Sequence, residues 1–373
     1  MSSITIPSKP VLLSPMGWLA FLGFILLLGV LTPLLNLYVP VGHPLHVSDF
    51  VISLVGKIMC FAICALAMDL IWGYTGILSL GHGLFFALGG YAMGMYLMRQ
   101  IGTDGNYKSE LPDFMVFLNW NTLPWHWYFS DSFIATLFLI VLAPGLLAAV
   151  FGYFAFRSRI KGVYFSIITQ AMTFAFMLLF FRNETGFGGN NGFTDFKRIL
   201  GLTIATPQMR MVLFVITAMT LLGFFLMARW LVQSKFGRVL QAIRDAESRV
   251  MFCGYSPLPY KLSIWVISAV MCGVAGALYV PQVGIINPSE MSPANSIEIA
   301  VWAAVGGRGS LLGPILGAFM VNGAKSWLTV VAPEFWLYVL GALFIAVTLF
   351  MPQGILGLWS KARQAWLSKG ASS

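Results

Sequence analysis

Gly73-Tyr74-Thr75-Gly76-Ile77-Leu78-Ser79-Leu80-Gly81-His82-Gly83 is a polar, glycine-rich stretch set between and into two apolar runs, at about 51–72 and 76–98. A second interruption, Gly306-Gly307-Arg308-Gly309-Ser310-Leu311-Leu312-Gly313-Pro314, splits an apolar run at 296–331 that is too long for one simple span. That run fits a helical hairpin or re-entrant pair, because irregular backbone at membrane depth is tolerated only where protein or a polar cavity surrounds it. Two broken segments, one in each half, point to an internal repeat around a midplane pathway. The same glycines also permit close helix packing, as in Gly90-x-x-x-Gly94 and Gly313-x-x-x-Gly317, and both readings stand together.

Outward from these breaks, apolar runs fall at about 16–39, 133–156, 163–182, 209–232, 262–281 and 335–351. With the split run counted twice, the sequence predicts about ten transmembrane or re-entrant helices in an all-α polytopic protein. Composition agrees: of 373 residues 58% are hydrophobic and 9% charged, with a mean hydropathy of +0.84. Soluble chains carry roughly 25% charged residues, so a soluble enzyme is excluded. The run at 16–39 lacks a small-x-small cleavage site and is predicted to be a retained first span. Cys60, Cys64, Cys253 and Cys272 lie in or beside predicted helices and support neither a disulfide framework nor a zinc site.

The net charge of +9 is spread over short loops, so it reads as a topology signal and not as a nucleic-acid surface. With the N-terminus inside, fourteen bases collect on the cytoplasmic side: Lys9, Arg157, Arg159, Lys161, Arg229, Lys235, Arg238, Arg244, Arg249, Lys261, Arg308, Lys361, Arg363 and Lys369. Seven fall outside (Arg99, Lys108, Arg182, Lys197, Arg198, Arg210 and Lys325), and Lys57 is left within a span. Both termini are therefore predicted to be cytoplasmic, with tails at 1–15 and 359–373 around a transmembrane domain at 16–358. The outer segment 99–132 holds Trp120, Trp125, Trp127 and Tyr128, an expected interfacial belt or short helix.

The longest cytoplasmic segment, 229–261, contains an amphipathic stretch from Phe236 to Cys253. Phe236, Val239, Leu240, Ile243, Ala246 and Val250 recur at helical spacing, opposite Arg238, Gln241, Arg244, Asp245, Ser248 and Arg249. Asp245 and Arg249 are spaced for a pair one turn apart. Such a helix suits the membrane surface or a groove on another subunit.

Gly237-Arg238-Val239-Leu240-Gln241-Ala242-Ile243-Arg244-Asp245-Ala246-Glu247, followed by Gly254, resembles the coupling segment of permeases in the branched-chain amino acid class of ABC importers. The two glycine-rich breaks, the external Thr185-Gly186-Phe187-Gly188-Gly189-Asn190-Asn191-Gly192 and the closing Pro352-Gln353-Gly354 share the resemblance, which runs from about 50 to 358. Leu80-Gly81-His82-Gly83-Leu84-Phe85-Phe86-Ala87-Leu88-Gly89-Gly90-Tyr91 and Arg249-Val250-Met251-Phe252-Cys253-Gly254-Tyr255 look most like the second permease subunit of the urea branch.

The resemblance implies half of an inner-membrane translocator that moves urea by alternating access. Its partners would be a related permease, two cytoplasmic ATPases that hold ATP and magnesium, and a periplasmic binding protein. No cofactor is expected in this chain, and no G-x-x-x-x-G-K-[ST] phosphate loop occurs in it. Arg238, Arg244, Asp245, Glu247 and Gly254 are the implied coupling positions, with Ile243 and Val250 as apolar contacts. Branched-chain amino acids or short amides are the alternative cargo. A passive channel or secondary transporter is the other reading, one that gives the amphipathic helix no role. A membrane enzyme is disfavoured, since four dispersed histidines form no catalytic or metal-ligand cluster.

Urea needs acceptors for its N–H bonds, a donor for its carbonyl and flat apolar walls. Polar candidates near the breaks are Tyr74, Thr75, Ser79, His82, Thr169, Gln170, Asn190, Asn191, Glu298 and Ser310, with Phe85, Phe86 and Trp302 as walls. Each of the polar ones also suits a capping or interhelical hydrogen bond. Asp69 is expected to meet a structural partner or the cytoplasm, and Glu298 to begin a helix whose dipole stabilises its charge. His82 reads as a packed neutral imidazole bonded to a backbone carbonyl, with pH sensing or donation to cargo as the other reading.

Overall fold

The computed structural model describes residues 15–40, 42–350 and 354–357. The expected tails, with Lys9, Lys361, Arg363 and Lys369, and Pro352 and Gln353 of the closing motif, lie outside the described residues. Helix α1 joins three stretches, Pro15–Leu26, Leu27–Leu31 and Thr32–Tyr38. It is followed by α2 (Asp49–Thr75), α3 (His82–Arg99), the short α4 (Asp113–Phe117), α5 (Phe133–Arg157) and α6 (Val163–Phe181). Then come α7 (Pro207–Gln233), α8 (Lys235–Phe252), α9 (Pro257–Val283), α10 (Pro293–Gly306), α11 (Leu312–Val331) and α12 (Trp336–Phe350).

Six of them, α1, α2, α5, α6, α7 and α9, are long and apolar enough to cross a membrane. Their boundaries follow local chemistry. Ser48, Ser132 and Thr206 accept N-terminal amides of α2, α5 and α7, while Gly76 and Gly284 close α2 and α9 in the left-handed region. The expected split of the run at 296–331 is observed, with α10 ending at Gly306 and α11 starting at Leu312. At 14 residues, α10 is about 21 Å long and too short for a hydrocarbon layer of about 30 Å.

Helices α2, α3 and α9 form the centre, and α9 also packs along α5. On α5 the exposed residues Ile134, Leu137, Phe138, Val141, Leu142 and Phe154 make a lipid-facing stripe, while Thr136, Ile140, Gly145 and Ala148 face inward. Close approach of α3 and α9 rests on glycine: a Cβ at Gly89 would collide with the Gly273 carbonyl, and one at Gly276 with that of Phe86. Gly317 and Gly313 let α11 close on α10 in the same way.

Four two-residue strands complete the described fold. Phe193–Thr194 pairs antiparallel with Ile285–Ile286, which draws the Gly186–Gly192 loop against the chain leaving α9. The expected aromatic belt is only partly one. Trp125 and Tyr128 are exposed, but Trp127 is fully buried and donates its indole N–H to Gly186 O at 3.1 Å. Its ring therefore anchors the loop at Gly186 to the core.

Candidate functional site

After Gly76, which still donates to Trp72 O, residues 77–80 make no helical hydrogen bonds, so their polar backbone needs partners within the apolar bundle. Hydroxyls on α6 supply them. Ser166 Oγ donates to Leu78 O at 2.8 Å, Thr169 Oγ1 accepts from Leu80 N at 3.0 Å, and Thr173 Oγ1 donates to Leu80 O at 3.4 Å. Ser79 accepts from Gly81 N at 3.2 Å and meets His82 Nδ1 at 3.2 Å, while His82 Nε2 meets Ser268 Oγ at 3.3 Å. The fully buried imidazole is thus held by two hydroxyls, not by the backbone carbonyl expected from sequence, and its ring lies edge-on to Trp265. Ser268 Oγ donates to Trp265 O at 2.9 Å and so accepts from Nε2, which leaves Nδ1 to accept from the Ser79 hydroxyl.

The second break, 307–311, is seated on the first. Fully buried Asp69 accepts from Gly309 N at 2.6 Å and from Leu311 N at 3.0 Å, and Tyr74 OH donates to Gly309 O at 2.9 Å. Leu311 has φ 56°, a left-handed conformation that an L-residue adopts only when its surroundings impose it. Of the two expectations for Asp69, the structural partner is observed and solvent exposure is not. Ser310 accepts from Gly313 N at 3.0 Å and donates to Gly307 O, and Thr75 donates to Ile71 O. Tyr74, Ser79, His82 and Ser310 therefore bond within or across the breaks, Thr75 bonds within α2, and none of the five lines the cavity between α2 and α10. Gln170 is half-buried on α6, Asn190 and Asn191 are exposed in the loop between α6 and α7, and Phe85 packs on Trp265.

That cavity, of about 260 Å³, opens between α2, α3, α9, α10 and α11. Phe86, Glu298 and Trp302 are the sequence candidates found there. Glu298 is in the second turn of α10, and its charge is met by Lys325 Nζ at 2.8 and 2.9 Å from its two oxygens, not by the helix N-terminus alone. Lys325, assigned to the outer side by charge counting, thus lines the cavity. Sequence reading passed over Glu290, Asn295, Tyr279 and Lys57 as cavity groups. Glu290 accepts from Tyr279 OH at 3.2 Å and Asn295 Nδ2 at 3.3 Å. Lys57 Nζ lies 5.6 Å from the Phe61 ring centre and 5.8 Å from that of Tyr279. An ionisable residue inside a span is a signal for such a site, and Lys57 was the one base that charge counting could not place.

Helix α8 is the second region of interest. Ser234 accepts from Gly237 N, and the helix breaks at Ala246, where φ is −157° and ψ 71°. The break redirects the second half, so Asp245 pairs with Arg244 at 2.8 Å instead of with Arg249 as the spacing predicts. Leu240, Ile243 and Val250 are buried against the bundle. Arg244 Nη1 donates to Gly73 O at 2.8 Å, capping the end of α2, and Glu247 bridges Lys161 at 2.8 Å and Lys261 at 2.5 Å. Partial burial opposes the charge on Glu247, but the hydrogen bonds from Lys161 and Lys261 outweigh it and hold the carboxyl below the usual carboxylate range. Arg238, Asp245, Arg249 and Gly254 remain exposed, the first three rimming an open groove floored by Val239, Ala242 and Ala246.

Residues 50–348 match the family described as branched-chain amino acid transport system, permease component. The high-affinity branched-chain amino acid transport system permease protein LivM of Escherichia coli is 25% identical over 345 residues, covering 86% of this chain and 73% of that protein. The corresponding protein BraD of Pseudomonas aeruginosa is 25% identical, covering 80% of this chain and 91% of its own length. The xylose transport system permease protein XylH of Escherichia coli is 25% identical over 36% of this chain and 35% of its own. No solved structure matches.

Proposed function

The chain belongs to the permease family of branched-chain amino acid transport systems, multi-pass membrane components of bacterial ABC importers, and from that premise we propose that it is one of two related halves of a translocation pathway. Two cytoplasmic ATPases drive the pair by alternating access, and a periplasmic binding protein delivers the cargo. The observation that carries this reading is the family match across residues 50–348, which takes in every helix from α2 to α11.

In this reading the segment 229–261 couples hydrolysis to transport through α8. Its exposed Arg238, Asp245 and Gly254 meet the ATPase, where a short element seated in a groove turns nucleotide-driven closure into rigid-body movement. Ile243 and Val250 anchor α8 to its own bundle, and Arg244 and Glu247 tie it to α2 and to α9 with the loop before α6. Coupling then needs both faces of α8.

Two cargoes share the chemistry of a small solute with amino or amide N–H groups and no net charge. The names of the relatives that match most of this chain favour a branched-chain amino acid. The stretches Leu80 to Tyr91 and Arg249 to Tyr255, which resemble the urea branch, favour urea. Vesicles containing this chain, its co-purifying partners and added binding protein are assayed with labelled leucine and labelled urea separately. ATP-dependent uptake of either is the expected result and assigns the cargo. Equilibration of either solute without ATP replaces the importer by a passive channel.

A further inference from the structure

We propose that the cavity between α2, α3, α9, α10 and α11 is the cargo station of this permease half, with Lys57 receiving the cargo's carbonyl or carboxylate oxygen and Glu290 its N–H groups. This rests on the importer reading and adds to it a site and its chemistry.

Four observations converge there. First, two helix N-termini meet at the cavity: Gly83 N in the first turn of α3 donates to Ser296 Oγ in the first turn of α10 at 3.1 Å, and Gly83, Phe86, Asn295 and Glu298 all line the space. Aligned N-termini favour an oxygen that carries negative charge. Second, the lining holds two bases and two acids, Lys57 and Lys325 against Glu290 and Glu298, a balance suited to a cargo without net charge. Lys325 is engaged by Glu298, whereas among the described residues Lys57 has ring contacts and no ion pair within 4.0 Å. Its ammonium therefore keeps hydrogen-bond donors for a guest.

Third, the Trp302 indole is 3% exposed and lines the cavity, and its Nε1 has no hydrogen-bond partner among the described residues. An unmet buried donor beside a polar space is what a guest carrying an acceptor oxygen would satisfy. Fourth, the Phe61 and Trp302 rings are tilted by 32° with their centres 4.9 Å apart, and Phe61 and Phe86 meet at 6.0 Å, giving the apolar wall that a planar amide or an aliphatic side chain needs. Each oxygen of Glu290 accepts one hydrogen bond at present, from Tyr279 and from Asn295, and has capacity for another.

The test uses the assembled complex in vesicles, with leucine and urea as separate probes. In Lys57→Met and Glu290→Gln complexes, KM for whichever solute the wild type carries is expected to rise at least tenfold, with co-purification of the partners unchanged. A second measurement reads occupancy without turnover. In a Cys64→Ser and Cys253→Ser background, a Ser326→Cys variant, at a cavity-lining position with no assigned part in binding, is treated with a thiol reagent, and the carried solute is expected to slow the modification. Unchanged KM in both variants, or modification that neither solute slows, overturns the site while the wild type still transports. A wild-type complex that moves neither solute with ATP overturns the importer reading and the site with it. Loss of partner co-purification in both variants, without protection at position 326, assigns these residues to the fold and overturns the proposal.

Discussion

The backbone of this bundle is interrupted in two different ways. The breaks at 76–81 and 307–311 are rich in glycine, and their polar groups are consumed by the protein itself: α6 hydroxyls satisfy the first, Asp69 and Tyr74 the second. The break at 284–292, between α9 and α10, has one glycine, Gly284, and carries Asn287, Pro288, Ser289 and Glu290. It is this one that places a carboxylate at the cavity. Glycine marks where backbone must approach backbone, as Gly73 approaches Gly309. Glu290, in the third break, borders open space instead. The comparison divides the molecule into joints, which should respond to mutation through stability, and a station, which should respond through transport.

The largest effect is expected at the joint. Asp69→Ala strands the buried amides of Gly309 and Leu311, at roughly 1–3 kcal/mol each, and releases the constraint on Leu311. A combined loss of about 2–6 kcal/mol is comparable to the whole stability of many domains. The yield of folded protein in detergent should collapse, and Asp69→Asn, which keeps one acceptor oxygen, should fall between it and the wild type. If Asp69→Ala folds normally but transports poorly, the division between joint and station is wrong.

Helix α8 sharpens the comparison because it is fastened to the first joint through Arg244 and Gly73 O. Reversing the charge at this tie, Arg244→Glu, is expected to reduce ATP-driven uptake at least tenfold while ATP hydrolysis by the complex continues and the spans stay folded. Normal uptake would remove Arg244 from coupling. Glu247 gives a smaller effect with a pH signature. Its folded pKa lies below the ordinary carboxylate value, so the ion pairs with Lys161 and Lys261 contribute stability that is fully present above that value and lost as pH falls through the folded pKa. Glu247→Gln should cost on the order of 1–2 kcal/mol near neutral pH. Thermal unfolding followed on acidification should show the gap to the wild type closing; a gap independent of pH would separate Glu247 from these pairs.

Much of this was legible in the sequence where one residue type carries the signal. The apolar runs, the split at Gly306–Ser310 and the contrast of faces along α8 are local patterns, and each has its counterpart in the fold. The cavity was not local. Lys57, Glu290 and Lys325 are separated by more than two hundred residues at their extremes, and the stretch around Glu290 reads as an ordinary loop between spans. Tyr74, Ser79 and Ser310 stand in the breaks, and in the fold their hydroxyls bond to backbone there, because buried backbone must find partners. The pairing expected of Asp245 and Arg249 failed for a related reason: it assumed an unbroken helix, and the backbone at Ala246 is not helical.

The smallest predicted effect tests the comparison most directly. Tyr74→Phe removes one hydrogen bond, that to Gly309 O, and leaves the ring in place. The cost should be about 1 kcal/mol, a shift of a few degrees in thermal unfolding, because Asp69 still holds the same loop through two amides. KM for the carried solute should not change, since Tyr74 does not line the cavity. Tyr74 stands in the glycine-rich motif and Glu290 in a loop without one, so motif membership alone would rank Tyr74 as the more important to transport. A KM shift in Tyr74→Phe larger than that in Glu290→Gln would restore the glycine-rich break as the cargo path. The reverse order would show that hydrogen-bond demand, and not sequence prominence, decides which polar groups in a membrane bundle remain free to act on a cargo.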